Sequence, residues 1–232
     1  MKLNTLPIFE ATLPITKKSV KFRPFVMKEE KLLLMASESK DTSDIISAIE
    51  QAVSSCSFGE VSCNTFPLVD VQYLFLAIRG KSVSENLEFN LICGGCKVSF
   101  PSFLNIEDIK VETNEKHTPV IKITEEVEVL MRYPKIQHLA ILTNNEADIN
   151  SVYDVITECI DSIKTPEEVV DAKNNSFDVM REFVDNLTVG QFAKLKEFFD
   201  TMPIITHTIN FTCAKCEKKN VIKLDDIVNF FV

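Results

Sequence analysis

Apolar and polar positions alternate at the start of the chain. Leu6 and Ile8, then Thr12 and Pro14, then Val20, Phe22 and Pro24 with Lys21 and Arg23 between them, flank the polar turn Thr16-Lys17-Lys18-Ser19. A period of two around a short polar link predicts a β-hairpin, and its prolines favour an edge position because they donate no ladder hydrogen bond. From Lys28 the period lengthens. Leu32, Leu33, Met35 and Ala36, then Ile45, Ile46, Ile49 and Val53 behind the cap candidate Ser43, recur at helical spacing and predict two amphipathic helices. Leu68, Val71, Leu74, Phe75 and Ile78 form one stripe of a third, read over Phe66 to Arg79.

Strand patterning returns between Glu85 and Ile109, where Leu87, Phe89 and Leu91 lead into Cys93-Gly94-Gly95-Cys96 and Val98 and Phe100 lead out. Val120-Ile121-Lys122-Ile123 and Val127 to Met131, joined by Thr124-Glu125-Glu126, predict a second hairpin. After Pro134 the chain turns helical. Val152, Val155, Ile156, Cys159, Ile160 and Ile163 predict one continuous helix, and Thr165-Pro166-Glu167-Glu168 has the cap, proline and glutamate of a further helix start. Thr188-Val189-Gly190-Gln191 repeats that capping logic ahead of Phe192, Leu195, Phe198, Phe199 and Met202, and Pro203 closes the helical region.

The fold class expected is therefore α+β: an N-terminal β-hairpin, amphipathic helices, and two strand–CxxC–strand knuckles forming a zinc-ribbon-like element. No Pro/Gly/Ser-rich linker divides the sequence. Residues 1–232 read as one tied-together unit, with weak joints at Lys110 to Thr118 and Thr143 to Asn150 and the halves 1–110 and 111–232 each carrying one knuckle.

Composition narrows the function. The 232 residues are 45% hydrophobic and 25% charged, the profile of a folded domain rather than of a disordered chain. Five glycines supply neither G-x-G-x-x-G nor G-x-x-x-x-G-K-[ST], so the usual phosphate-cradling loops are missing. A net charge of −9 opposes general coating of a phosphate backbone. No apolar run approaches the ~18 residues of a membrane span, and the N-terminal residues lack the apolar core of a signal peptide, which reads as a cytosolic protein.

Seven cysteines in a reducing compartment turn attention from disulfides to metal. Cys56, Cys63 and Cys159 are isolated and read as small core residues, Cys159 on a helix face. The other four form two C-x-x-C pairs separated by half the chain, Cys93/Cys96 and Cys213/Cys216. An internal similarity links them. Leu87 to Cys96 resembles Thr208 to Cys216, each follows an apolar helix, and each leads through a strand to an acidic run, Ile106-Glu107-Asp108-Ile109 in one copy and Leu224-Asp225-Asp226-Ile227 in the other. Two such turns bring four soft donors to one point, which is the requirement of a closed structural zinc site. A redox pair, which would start a helix, two unpaired structural knuckles with no metal, and two separate sites with other ligands remain as alternatives.

Other chemistry is sparse. His138 sits in a helical run, His117 in a polar loop and His207 just before the second knuckle; each reads as a solvated or packed residue, with a spare metal ligand as the alternative for His207. Glu125-Glu126 and Asp225-Asp226 are neighbours in sequence and read as solvated charges. G-x-S-x-G, H-E-x-x-H and the H-x-E…P-C-x-x-C deaminase pattern are absent, so no catalytic set is expected and the chain reads as a non-enzyme. Lys215, Lys218, Lys219 and Lys223 surround the second knuckle, without the aromatics of a single-strand platform.

The block Lys17-Lys18-Ser19-Val20-Lys21-Phe22-Arg23-Pro24-Phe25-Val26-Met27-Lys28-Glu29-Glu30-Lys31-Leu32-Leu33-Leu34-Met35-Ala36, preceded by Leu6-Pro7-Ile8-Phe9, resembles the baseplate hub assembly proteins of T4-like tailed phages. Asp70-Val71-Gln72-Tyr73-Leu74-Phe75-Leu76-Ala77-Ile78-Arg79-Gly80-Lys81-Ser82 looks like a second block of that family. The resemblance implies a non-enzymatic role in tail morphogenesis in the host cytoplasm, as a hub component or as a chaperone, with retention in the virion left open. It implies a hub or tape-measure protein as partner, besides self-association, and neither strong nucleic-acid nor membrane binding. It supplies no catalytic residue. Partner contacts are expected at Phe22, Arg23, Phe25 and Met27, where apolar anchors have a charged rim; ordinary packing of the hairpin on the core is the rival. The competing class is a zinc-ribbon nucleic-acid-binding accessory factor.

Overall fold

The computed structural model describes residues 6–39, 41–83, 86–144 and 146–224. Among them the chain is mixed α and β, with seven α-helices and eleven strands. It divides into two compact units, the described residues 6–112 with 204–224 forming one and Thr113–Pro203 the other.

The first unit opens with strands β1 (Phe9–Thr12) and β2 (Ser19–Phe22), the expected hairpin, with Phe9 opposite Phe22 and Thr12 opposite Ser19. Three helices follow: α1 (Met27–Ser39), α2 (Thr42–Cys56) and α3 (Leu68–Ser82). Asp41 rather than Ser43 caps α2, its carboxylate accepting from the Ser43 amide at 2.8 Å. Helix α2 packs against both α1 and α3. Helix α3 is more than a one-sided amphipathic helix. Leu68, Val69, Val71, Leu74, Phe75, Leu76 and Ile78 are buried, and so are Asp70 and Gln72 in the same turns, so it is covered on most of its circumference, as a central helix must be.

Strands β3 (Asn86–Ile92) and β4 (Ser99–Asn105) form a hairpin around the first cysteine pair, and β5 (Lys110–Glu112) follows a short 3-10 turn. The acidic run Ile106-Glu107-Asp108 makes that turn. Its counterpart, Asp225-Asp226-Ile227, lies outside the described residues.

The second unit begins with a hairpin of β6 (Val120–Lys122) and β7 (Glu128–Met131), near the segments read from the sequence. Short α4 (Leu139–Leu142) and α5 (Ile149–Glu158) come next, then β8 (Ile160–Lys164) and β9 (Val169–Asp171), giving the antiparallel sheet β6-β7-β8-β9. The continuous helix expected through Ile163 is thus wrong in its second half. Helix α5 ends at Glu158, Cys159 is its C-cap, and Ile160 and Ile163 belong to a strand. The physical reason is a bulge. Leu130 pairs with Ser162 and Met131 with Ile160, which leaves Asp161 as the extra residue, so Ile160 and Ile163 are both buried although three positions apart. That spacing imitates a helical stripe.

The helix start expected at Thr165 is also a turn. Thr165 Oγ1 accepts from the amides of Glu167 and Glu168 at 3.3 and 3.1 Å, as a cap would, but the β-branched pair Val169-Val170 continues as β9. Helices α6 (Phe177–Asp185) and α7 (Val189–Thr201) complete the unit, the latter with the full capping box between Thr188 and Gln191. Ile156, Ile160, Met180, Val184, Leu195 and Phe198 form its core with Val129 and Met131.

Strand β10 (Ile204–Thr212) then returns the chain to the first unit, pairing with β5 through Ile204–Thr206 and with β11 (Lys219–Leu224) through His207–Thr212. The second knuckle therefore belongs with the first, whereas the halves 1–110 and 111–232 would part them. The reason is that β10 needs β5 as its neighbour and α3 beneath it, where Ile205 packs against Val69, Leu76 and Leu104.

Phe198 is 1% exposed in the middle of the second core. Phe198→Ala should lower unfolding free energy by about 3–5 kcal/mol, whereas Thr188→Ala should cost about 1 kcal/mol through the lost cap. Urea unfolding followed by circular dichroism measures both.

Candidate metal centre

The two C-x-x-C turns are built alike. Strand β3 ends at Ile92 and β4 begins at Ser99 opposite it; β10 ends at Thr212 and β11 begins at Lys219 opposite it. In the first turn the Cys93 amide donates to the Val98 carbonyl and the Lys97 amide to the Cys93 carbonyl, both at 3.0 Å. In the second, the Cys213 amide donates to Lys218 at 2.9 Å and the Glu217 amide to Cys213 at 2.8 Å. Lys97 and Glu217 take the left-handed backbone at φ 60° and 56°, which curls each turn back under its cysteines.

The sulfurs converge. Cys93 Sγ lies 3.6 Å from Cys216 Sγ, Cys96 Sγ lies 3.6 Å from Cys213 Sγ, and all four lie within 4.8 Å of one another. A tetrahedral ion with metal–sulfur bonds of about 2.3 Å places its ligands about 3.8 Å apart, so the cluster has the size of a structural metal site. All four sequence-nominated cysteines are brought together, and the cluster is compatible with a bound metal.

Its electrostatics ask for a cation. The amides of Cys96 and Gly95 donate to Cys93 Sγ and draw its pKa down to about 6. For Cys216 the Lys218 amide favours the thiolate, but the neighbouring sulfurs outweigh it and push the pKa up to about 11. One sulfur ionises readily and its neighbour resists, because thiolates packed this closely repel. A divalent ion is what allows all four to ionise together.

Asn220 in β11 joins the two turns and was not singled out by sequence reasoning. It is buried, its Oδ1 accepts from the Gly94 amide at 2.9 Å, and its Nδ2 donates to the Lys218 carbonyl at 2.8 Å and toward Cys93 Sγ at 3.7 Å. The one signal available was a polar residue between Lys219 and Val221, at the inward-facing place of an alternating strand.

The remaining cysteines are unlike these. Burial raises the thiols of Cys56, Cys63 and Cys159 to about 11, 12 and 12. His207 is not part of the sulfur cluster, and its Nδ1 donates to the Asp108 carbonyl at 3.2 Å. His138 is buried against Glu158 at 2.8 Å, and His117 lies between Thr201 and Tyr133. Lys97, Lys215, Lys218 and Lys219 are exposed around the turns.

Of the four residues nominated for partner contact, three are engaged within the fold. Phe22 is 3% exposed and packs on Phe9. Phe25 is half-buried with its ring 6.0 Å from that of Phe75. Arg23 donates to Glu29 and to Ser55, both at 3.0 Å, and Glu29 also accepts from the Val26 amide. Met27 is 77% exposed at the start of α1. The segment Arg23 to Glu29 thus encodes an internal ion pair that fixes the hairpin to α1 and α2.

Paired hairpins closing on four sulfurs, within a mixed α/β chain, define a protein whose centre is suited to holding structure. The chain belongs to the family described as T4 bacteriophage base plate protein, whose model matches residues 6–232. No curated protein and no solved structure matches it.

Glu29 supplies a pH signature. Burial opposes its ionisation, but Arg23, the Val26 amide and Ser55 together outweigh that and lower its pKa to about 2. A carboxylate lowered on folding adds stability above its unfolded pKa and loses it as pH falls through the folded value, so this contribution should fade between about pH 5 and pH 2. Glu29→Gln should cost about 1.5–3 kcal/mol at neutral pH and flatten the acid limb over that window, as measured by urea midpoints at stepped pH.

Proposed function

We propose that this baseplate-family protein is a baseplate hub assembly factor, a chaperone or a hub component, that acts by protein–protein contact and performs no catalysis. The family match along residues 6–232 carries this reading. Its partner is a phage hub or tape-measure protein, met in the host cytoplasm where the tail is built. The exposed apolar side chains of α1, Met27 at 77%, Leu34 at 56% and Met35 at 59%, rimmed by Lys28 and Lys31, are the contact surface this reading favours over the buried Phe22.

The ion in the sulfur cluster is zinc in this reading. Four cysteine donors in closed, tetrahedral spacing suit zinc, and no coordination position is left for a substrate. Its role is to hold the two knuckles. Folding and metal binding are then linked, and zinc-finger peptides gain about 10 kcal/mol or more from the ion.

Elemental analysis of freshly purified protein should find one zinc per chain. Cys213→Ser should abolish it and lower the melting temperature sharply, while Cys159→Ser should leave the zinc content unchanged. Protein free of zinc when purified under reducing conditions would reject the assignment.

Tagged protein drawn from infected cells should carry a hub or tape-measure protein with it, and Met27→Asp should weaken that association tenfold or more. Labelled DNA at near-physiological salt should bind weakly, with Lys215→Ala having little effect. Tight DNA binding lost in Lys215→Ala, with no hub or tape-measure protein recovered, would favour the nucleic-acid accessory reading, which the exposed lysines around the knuckles motivate.

A further inference from the structure

The N-terminal hairpin has the same turn as the two cysteine knuckles. Six residues separate Thr12 from Ser19, as they separate Ile92 from Ser99 and Thr212 from Lys219, and each of those pairs faces across its ladder. The Leu13 amide donates to the Lys18 carbonyl at 2.8 Å and the Lys17 amide to the Leu13 carbonyl at 3.1 Å, the two bonds that close the other turns. Lys17 takes the same left-handed backbone, at φ 57°. By position, Leu13 stands where Cys93 and Cys213 stand, and Thr16 where Cys96 and Cys216 stand.

The turn has no sulfurs, and a carboxylate faces its amides instead. In the first cysteine knuckle the amides of Gly95 and Cys96 point at Cys93 Sγ, Gly95 at 3.3 Å. At the equivalent places in the N-terminal turn, the Ile15 and Thr16 amides donate to the two carboxylate oxygens of Asp70, at 2.6 and 2.9 Å. Asp70 is fully buried in the first turn of α3, where the helix dipole favours a negative charge. Leu13 is fully buried, Ile15 packs on the Val69, Leu76, Leu104 and Ile205 cluster, and Thr16 Oγ1 is buried with no hydrogen-bond partner among the described residues.

We infer that the N-terminal hairpin is a third knuckle, in which the Asp70 carboxylate takes the place of a thiolate and fixes the turn to α3 without metal. One unit then contains two kinds of lock. The sulfur cluster closes β3–β4 on β10–β11, while Asp70 closes β1–β2 on α3. Removing the ion opens the first and leaves the second shut.

Amide hydrogen exchange, followed residue by residue by NMR on the full chain, tests this. Asp70→Asn keeps the size but replaces one accepting oxygen by a donor, so the Ile15 and Thr16 amides should exchange at least tenfold faster, with metal content unchanged. Treating the wild-type protein with EDTA under reducing conditions should accelerate Gly95 and Cys96 at least tenfold and change Ile15 and Thr16 less than threefold. This second arm rests on the metal reading, whereas the substitution does not, so a chain that carries no metal leaves Asp70→Asn to decide alone. If that variant does not fold, the wild-type spectrum decides: Ile15 and Thr16 amide protons shifted downfield, as bonds to a carboxylate require, support the third knuckle. Unshifted protons, Asp70→Asn that leaves both amides protected, or chelation that releases them together with Gly95, would overturn it.

Discussion

Four sulfurs within 4.8 Å of one another are the constraint on which the first unit depends. They can meet only if β10 comes back beside β5 after the whole of Thr113–Pro203 has been made, and only if both turns curl through a left-handed residue at Lys97 and Glu217. Ile92, Phe103 and Val221 are 56%, 65% and 71% exposed, so the outer faces of these ribbons bury little, and a two-stranded ribbon alone is marginal in water. The convergence of the four sulfurs, compatible with a bound metal and backed by Asn220 across the two turns, adds a hold between the hairpins.

That long loop between the knuckles is itself a folded unit, which changes the cost of closing it. A flexible linker of that length would lose entropy when its ends meet, although the loss grows only with the logarithm of length. Here Thr113–Pro203 has a core of its own around Leu195 and Phe198, so it is a folded unit rather than a flexible linker.

The sequence made the repeated chemistry easy to see and the irregular backbone hard. Cysteine spacing, the alternation around each pair and the capping box at Thr188 are local signals, and each is matched by a local structure. The β8 strand was lost because a bulge at Asp161 places Ile160 and Ile163 at helical spacing, and Thr165 was misread because a side-chain cap and a hairpin turn use the same hydroxyl-to-amide bonds. Phe22, Arg23, Phe25 and Met27 offered apolar anchors beside charges, with packing of the hairpin on the core as the rival, because charge and apolar residues alternate there. In the fold that alternation puts Phe22 inward, and Arg23 turns to Glu29. Asn220 and Asp70 had no sequence signal beyond a polar letter in an apolar setting, since their partners are backbone amides of distant turns.

Inward-pointing backbone amides are what the N-terminal turn and the first cysteine turn share, and they explain how one design tolerates two chemistries. A tight turn with a left-handed fifth residue leaves its third and fourth amides pointing inward, unable to bond within the ladder, and a buried amide without an acceptor is costly. Any anion at that point satisfies them. A cysteine sulfur does so from within the turn, in a cluster of sulfurs compatible with a bound metal. A carboxylate from α3 does so from outside, with two oxygens for two amides, and the positive end of its own helix favours its charge. The turn's geometry therefore demands an acceptor and leaves its source free, so the chemistry that anchors each hairpin is set by what lies beneath it: a second sulfur-bearing turn for β3–β4, and the start of a buried helix for β1–β2.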